Sequence, residues 1–261
     1  MDNIKIFYIN MKNQKDRDKK IQKQAKILDI QLNRVEPFSI SDIKKIVKNY
    51  DTKLTYPECS LYYTIYNILY NNMNSNNHIL ILEDDIVFSK EIKSVFNIIE
   101  DYNFQNDEDM IFFEANLNIF YIEFMKDTLN HLKNQKKITF IDSKKYYLAG
   151  ATAVLYNKNK IKKIIKLFEK NLFQFAYDLQ LKQYIKTNQL KANILFPFFI
   201  GLNTKLAINS SLATINTSLL ENSIRLREQF FIEDGEIDMK KRYNKALKIY
   251  LKTIKSYLLD D

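Results

Sequence analysis

The sequence predicts an α/β domain on a mainly parallel sheet, followed by a C-terminal helical extension. Short β-rich runs alternate with segments of helical apolar spacing over roughly the first 200 residues, the pattern of strands joined by crossover helices. After residue 217 the pattern becomes purely helical, which sets the expected division at 1–217 and 218–261. An apolar fraction of 46% in 261 residues is enough for one such domain with an appendage.

The elements follow in order. "IKIFYIN" (Ile4 to Asn10) reads as the first strand, and Ile21, Ala25 and Leu28 lie at helical spacing in the charged stretch behind it. "QLNRVEPF" offers a second strand, stopped by Pro37. From Pro57, a favoured first-turn residue, Leu61, Ile65, Leu69 and Met73 repeat every four positions and predict a helix ending in "NNMNSNNH". The strand Ile79 to Leu82 then runs into Glu83, Asp84 and Asp85. Next comes the helix "SKEIKSVFNIIEDY", with Ser89 as N-cap, and then the strands "DMIFFEAN", "KITFID" and "YYLAGATAVLY". Asn157 caps a helix in "KNKIKKIIKLFEK", "FAYDLQLKQYI" is another helix, and "ANILFPFFI" is a strand ending at Pro197.

A single Cys excludes a disulfide framework. The start "MDNIKIFYIN" enters a strand-like run without the form of a signal peptide. No apolar stretch reaches the roughly 18–20 residues that span a bilayer. The expectation is a soluble or peripheral protein. A net charge of +9 suits nucleic acid, anionic lipid or phosphorylated ligands and selects none of them. The sequence has no CxxC pair, Walker-type loop or GxGxxG, and no recognisable nucleic-acid reading motif, so nucleic acid is not the expected partner.

The acid triplet is the strongest chemical signal. In open α/β sheets ligands bind beyond the carboxyl ends of strands, and Glu83 to Asp85 follow such an end. Three adjacent carboxylates repel, so a cation, protonation or full solvation must relieve them. Glu83 and Asp85, at i and i+2, face one side wherever the backbone is extended, and Asp84 faces the other. Hard divalent cations commonly take one or two protein carboxylates plus substrate phosphates, which makes Glu83 and Asp85 a candidate clamp for a metal diphosphate. The plain alternative is a solvated acidic turn.

Four segments stand in a meaningful order over roughly the first 215 residues. They are "IKIFYINMKNQKDR", with Asn10 and Arg17; "RVEPFSI"; "ECSLYYTIYNILYNNMNSNNHILILEDDIVF"; and "YYLAGATAVLYNKNKIKKII", with Asp178 in "FAYDLQL" behind it. The set resembles glycosyltransferase family 25, the group of bacterial lipooligosaccharide galactosyltransferases and collagen galactosyltransferase domains. The chain departs from that pattern at three places. Tyr62-Tyr63 replaces a Ser-His pair, Glu58 replaces the Gly before Cys59, and Ala153-Val154 replaces Ala-Tyr. No role that needs the family's His carries over.

The resemblance implies a single GT-A-like (Rossmann-like) nucleotide-sugar-binding domain. It implies an inverting transfer of galactose or glucose from a UDP-sugar to a saccharide or lipid-linked saccharide acceptor of a surface glycan such as lipooligosaccharide. The divalent metal would be Mn²⁺, with Mg²⁺ as the alternative, held by Glu83 and Asp85, with Asp84 toward ribose. Arg17 after the first strand suits a diphosphate, and Glu36 at the end of the second suits uridine or ribose. Gly150, inside a strand-like run, fits a bulge or close backbone approach, in a region that lines the donor or acceptor site in the family. The general base is expected at Asp178 first and Glu114 second, and the loop around 199–217 is expected to exclude water. Cys59 reads as a small buried hydrophobe, and His78 and His131 as structural or exposed residues. The competing expectation is a catalytically lapsed nucleotide-sugar or saccharide binder.

In the tail, Met239, Tyr243, Leu247, Tyr250, Ile254 and Leu258 recur at three or four residues among seven Lys or Arg and no acid. Such a helix either lies on an anionic membrane surface or packs its stripe on the domain or on a second copy of the chain. The expected location is cytoplasmic, with peripheral contact at the inner face of the cytoplasmic membrane on the first of these readings.

Overall fold

The structure, a computed structural model, describes residues 3–102, 104, 107–115, 124, 127–128, 138–146, 151–203, 217–234 and 238–259. In the last two helices its side chains are described at 224–230, 240–249 and 251–252. The elements are β1 (Ile4–Ile9), α1 (Lys15–Ile27), β2 (Asn33–Val35), α2 (Ile40–Val47), α3 (Tyr56–Asn71), β3 (His78–Glu83), β4 (Ile86–Phe88) and α4 (Ile92–Tyr102). They continue with β5 (Met110–Phe112), β6 (Thr139–Asp142), α5 (Ser143–Tyr146), β7 (Ala153–Tyr156), α6 (Ile161–Lys170), α7 (Tyr177–Lys186), β8 (Ala192–Phe196), β9 (Ile200–Leu202), α8 (Thr217–Phe230) and α9 (Met239–Leu259).

The central sheet has seven strands in the order β2-β1-β3-β7-β5-β8-β6. The pairs β1–β2, β1–β3 and β5–β8 are parallel, whereas β7 runs antiparallel to both neighbours and β6 antiparallel to β8. The sheet is therefore mainly parallel, as expected, with two reversed strands that the sequence pattern does not distinguish. β4 and β9 form a separate antiparallel pair.

Helices cover both faces, so the central strands are apolar on both sides. Period-two alternation divides each strand between two cores. Ile79 and Ile81 of β3 face the core beneath α3 and α6, and Leu80 and Leu82 face the core beneath α1 and α4. Tyr8 of β1 ties α1 down, donating to Asp18 at 2.5 Å and accepting from Gln22 at 2.7 Å. Gln24 of α1 acts as a strand partner for β4: its amide donates to the Ile86 carbonyl and accepts from the Phe88 N–H. These contacts fix the strand that leaves the acid triplet.

Several boundaries differ from the sequence expectation. The helix predicted from Pro57 begins at Tyr56 because Thr55 is its N-cap, reciprocated by the Glu58 carboxylate on the Thr55 N–H at 2.8 Å. Glu58, the departure from the family glycine, thus has a local structural use. We expect Thr55→Ala to cost about 1 kcal/mol, read as a lowered urea midpoint at unchanged slope; an unchanged midpoint would remove the cap from the stability account. Met73 lies beyond the helix, which ends at Asn71. α2 has no counterpart among the expected elements, although Ser39 caps it by accepting from the Asp42 N–H at 3.2 Å. Ser89 accepts from the Glu91 N–H in a turn ahead of α4, so it leads into the helix without being its immediate N-cap. Asn157 caps as expected, over a short 3₁₀ turn that precedes α6. Of the strand expected from Tyr146 onward, Tyr146 is helical, 147–150 lie outside the described residues, and β7 covers Ala153–Tyr156.

The two C-terminal helices share the main core. Leu226 and Phe230 of α8 and Tyr243 and Ala246 of α9 are buried there. Tyr243 comes from the predicted tail stripe, but Leu247 of the same stripe is exposed. The first half of α9 therefore packs on the domain through a face that includes Tyr243 and Ala246, and Lys240, Lys241, Lys245, Lys248 and Lys252 stay exposed. Among the described residues no helix is long and apolar enough to cross a membrane.

Candidate active site

The chain leaves β1 toward β2 on one side and returns to β3 on the other, so the strand order switches direction between β1 and β3. Crevices at the carboxyl ends of such strands are where open α/β sheets bind ligands. The register pairs Ile9 with Glu83, which sets Asn10 beside Asp84. Asn10 is 1% exposed and donates to Asp84 Oδ2 at 2.7 Å and to the Gln14 carbonyl at 3.2 Å. Its side-chain oxygen accepts from Arg34 Nε at 3.0 Å, so every polar atom of its amide is engaged. Arg17, from the first turn of α1, donates to Asp84 Oδ1 at 2.9 Å and lies 3.7 Å from Asp85 Oδ2. The Asn203 N–H donates to the Asp85 carbonyl at 2.6 Å, joining the segment after β9 to the triplet.

Asp85 is buried, and its Oδ1 has no hydrogen-bond partner. Burial raises its pKa, with repulsion from Asp84 adding to the rise and Arg17 the largest opposing influence. Glu83 is pushed up to about 8 by burial, then by the charges of Asp85 and Asp84, with Arg227 opposing. Arg227 comes from α8 and is itself buried. Its Nη2 donates to Glu114 Oε2, and its own pKa is pulled down to about 10 by burial against the support of Asp85 and Glu83. The triplet is thus a concentration of negative charge that two arginines from opposite ends of the chain only partly offset.

Asp178 sits in the first turn of α7, half-buried, its Oδ1 accepting from the Leu179 N–H at 2.9 Å. Burial raises its pKa, and its charge is near enough to act on Glu83. Glu36 is exposed, 3.9 Å from Arg34 at the rim. Asn10, Arg17, Glu83, Asp84, Asp85 and Asp178 therefore converge electrostatically. Glu114 reaches the group through Arg227, while Glu36 stays peripheral. Gly150 and His131 lie outside the described residues, as do 204–216 of the expected 199–217 loop, and Ile200–Leu202 of that loop form β9 instead.

Tyr62, where the family has Ser, is fully buried, packed edge-on against Phe168, Phe173 and Tyr177. Tyr63, where the family has His, stacks on Tyr66 and packs against Phe38. Both serve packing. Cys59 is buried and its thiol is pushed up to about 11, too high to supply thiolate at neutral pH. His78 is buried against Phe104, accepts from the Lys158 N–H and is pulled down to about 4 by burial, so it is neutral and structural.

Sequence reasoning missed Arg34 and Arg227. A signal for the second existed: Ile224, Arg227 and Phe230 follow at i, i+3 and i+6, which puts a charge on the apolar face of a helix. A cavity of about 270 Å³ lies elsewhere, beside β6, where Asp127 is already paired with Lys145 and Tyr146. It contains none of the site residues.

The oxygen donors fit a hard divalent ion. Asp85 Oδ1 is a buried acceptor without a partner, and the neighbouring Asp85 charge raises the cost of ionising Glu83. Among the described residues no group of three or more His, Cys, Asp or Glu is arranged to hold a metal. Glu83 and Asp85 would by themselves supply only part of the shell of such an ion.

No protein-family model matches the chain, and no curated protein matches it. Among solved structures, the apo form of mouse xyloside xylosyltransferase 1 is similar at a TM-score of 0.37 and 10% identity, over 73% of this chain and 71% of that one. A likeness that loose transfers no residue role.

Proposed function

We propose that the protein is a glycosyltransferase that moves a hexose from a nucleotide sugar to a saccharide acceptor with inversion. The observation that carries this reading is the buried Asp85 carboxylate, with one oxygen unpartnered, beside Glu83 at the β1/β3 switch point and flanked by Arg17 and Arg227. Acidic groups that bind a cation, next to guanidinium groups that bind phosphate, suit a metal-bound diphosphate. The order of motifs, which resembles family 25, favours UDP-galactose or UDP-glucose as donor and a surface glycan as acceptor.

In this mechanism Glu83 and Asp85 would hold a divalent ion, which would supply Lewis-acid stabilisation to the leaving diphosphate. Arg17 adds charge-assisted hydrogen bonds to the phosphate oxygens, turning from Asp84 to do so. Asn10 keeps Asp84 oriented toward the ribose. The Asp178 carboxylate takes the proton of the acceptor hydroxyl as its oxygen bonds to the anomeric carbon. The bond from that carbon to the diphosphate oxygen breaks, and its electron pair leaves with the nucleoside diphosphate. Glu114, committed to Arg227, is less available for this proton.

The decisive experiment incubates purified protein and Mn²⁺ with a panel of nucleotide sugars and saccharides, following nucleotide release and glycoside formation. Turnover with one UDP-hexose is expected. Binding of UDP-sugars without release above background would establish the second reading, a lapsed relative, which the buried Tyr62 in place of the family Ser favours. Neither binding nor turnover would sink both.

Asp178→Asn is expected to lower turnover by about two orders of magnitude while leaving donor affinity nearly unchanged. Wild-type turnover in that variant would move the base elsewhere.

A further inference from the structure

A small cavity of about 20 Å³ has walls that include Glu114, Arg227, Phe198, Gly201 and Phe231. Two of these residues bring unsatisfied polar atoms. Glu114 is 3% exposed and its Oε1 has no partner; Arg227 is 8% exposed and its Nε has none. The two side chains meet at one point only, Nη2 on Oε2, which leaves a donor and an acceptor in the same enclosure. Unsatisfied buried polar atoms are costly, and a donor beside an acceptor asks for a group that both gives and takes a hydrogen bond. A hydroxyl does so: its proton goes to Glu114 Oε1 and its oxygen accepts from Arg227 Nε. A charged group would meet either the Glu114 carboxylate or the Arg227 guanidinium as a like charge.

Size and placement narrow the occupant further. About 20 Å³ is above the roughly 10–15 Å³ that one water-sized group needs, and too small for a ring. The remaining walls are apolar apart from Glu228, which is exposed. At Gly201 an added Cβ would come within 2.8 Å of the Phe231 ring, so this wall is already in close contact. The cavity adjoins the proposed reaction site through two links. β9 carries Gly201 and Leu202 against β4, directly after Asp85, and the Arg227 charge acts on both Asp85 and Glu83.

We propose that the cavity between Glu114 and Arg227 is a specificity subsite that receives a single hydroxyl of the transferred hexose. This rests on the nucleotide-sugar reading above and deepens it: Glu114 becomes a sugar-recognition residue, and α8 contributes to donor choice. A site built to hydrogen-bond a hydroxyl discriminates strongly against the analogue lacking it, because its buried polar atoms are then left unpaired.

The test measures equilibrium binding of UDP, UDP-glucose, UDP-galactose and their monodeoxy analogues to the full-length protein with Mn²⁺. For whichever hexose binds more tightly, loss of one particular ring hydroxyl is expected to weaken binding by an order of magnitude or more, on the order of what a charged hydrogen bond supplies. Glu114→Gln should erase that discrimination while changing UDP affinity less than about twofold. Gly201→Ala, which leaves both charges in place and sets a Cβ within 2.8 Å of the Phe231 ring on the cavity wall, should erase it too, and keeps the test open if Glu114→Gln fails to fold. If UDP binds but every deoxy analogue binds like its parent, the cavity holds only a structural water or closes into a two-point ion pair, and the subsite is refuted while the function stands. If neither UDP nor any UDP-hexose binds, the functional reading fails and takes the subsite with it.

Discussion

Asp85→Asn should reduce hexose transfer by about three orders of magnitude, the scale on which removal of one transition-state charge partner is felt. The variant keeps the shape of the side chain and removes the charge whose Oδ1 is buried without a partner. It should also fold at least as well as the native protein. Asp85 is the largest charged contributor to the rise of Glu83, from 4.5 to about 8. A carboxyl raised in the folded state binds more protons there than in the unfolded chain between those two values. Stability therefore falls as pH rises through that window. Removing the Asp85 charge relieves part of this penalty, so thermal stability in chelator at pH 7 should be equal or higher. Metal should act in the opposite way, stabilising the native protein as pH rises toward 8, where the ion displaces the Glu83 proton, and doing little for the variant. Native turnover in Asp85→Asn with excess chelator would remove the metal clamp from the mechanism.

Arg227→Met should lower folding stability by about 3–5 kcal/mol, because it leaves the Glu114 carboxylate buried without its ion-pair partner. In a domain of this size that is roughly a 10 °C fall in Tm. The double variant Arg227→Met/Glu114→Leu should recover most of the loss, since an apolar pair replaces a buried ion pair at little net cost. Catalysis should not recover with it, because Arg227 also balances Asp85 and Glu83. A single variant as stable as the native protein would mean that Glu114 finds water or another partner, and that α8 is not fastened to the site through this pair.

How far the site was legible before the fold was known follows from which interactions are local. The apolar run Ile79 to Leu82 and its abrupt ending in acids are local facts, and strand geometry with two-sided burial turned them directly into β3 and the triplet at its carboxyl end. Cys59 as an inert packing residue and the Asn157 cap were likewise readable, because burial periodicity and capping act over one or two turns. The reversal of β7 and β6 was not, since residue alternation is the same in either direction and only hydrogen bonding between strands decides it. Tyr62 became core because Phe168, Phe173 and Tyr177, from distant segments, close around it. Arg34 reaches Asn10 across 24 residues, and Arg227 reaches Glu114 across 113. Such partners are chosen by the desolvation that packing imposes: a charge on a helix face remains solvated until the chain buries it, and only then must it find its counterpart. The sequence alone therefore determined the class of sheet and the acids at its switch point. Which arginines balance those acids, and that α8 brings one of them, were decided only when the tertiary fold excluded water from them.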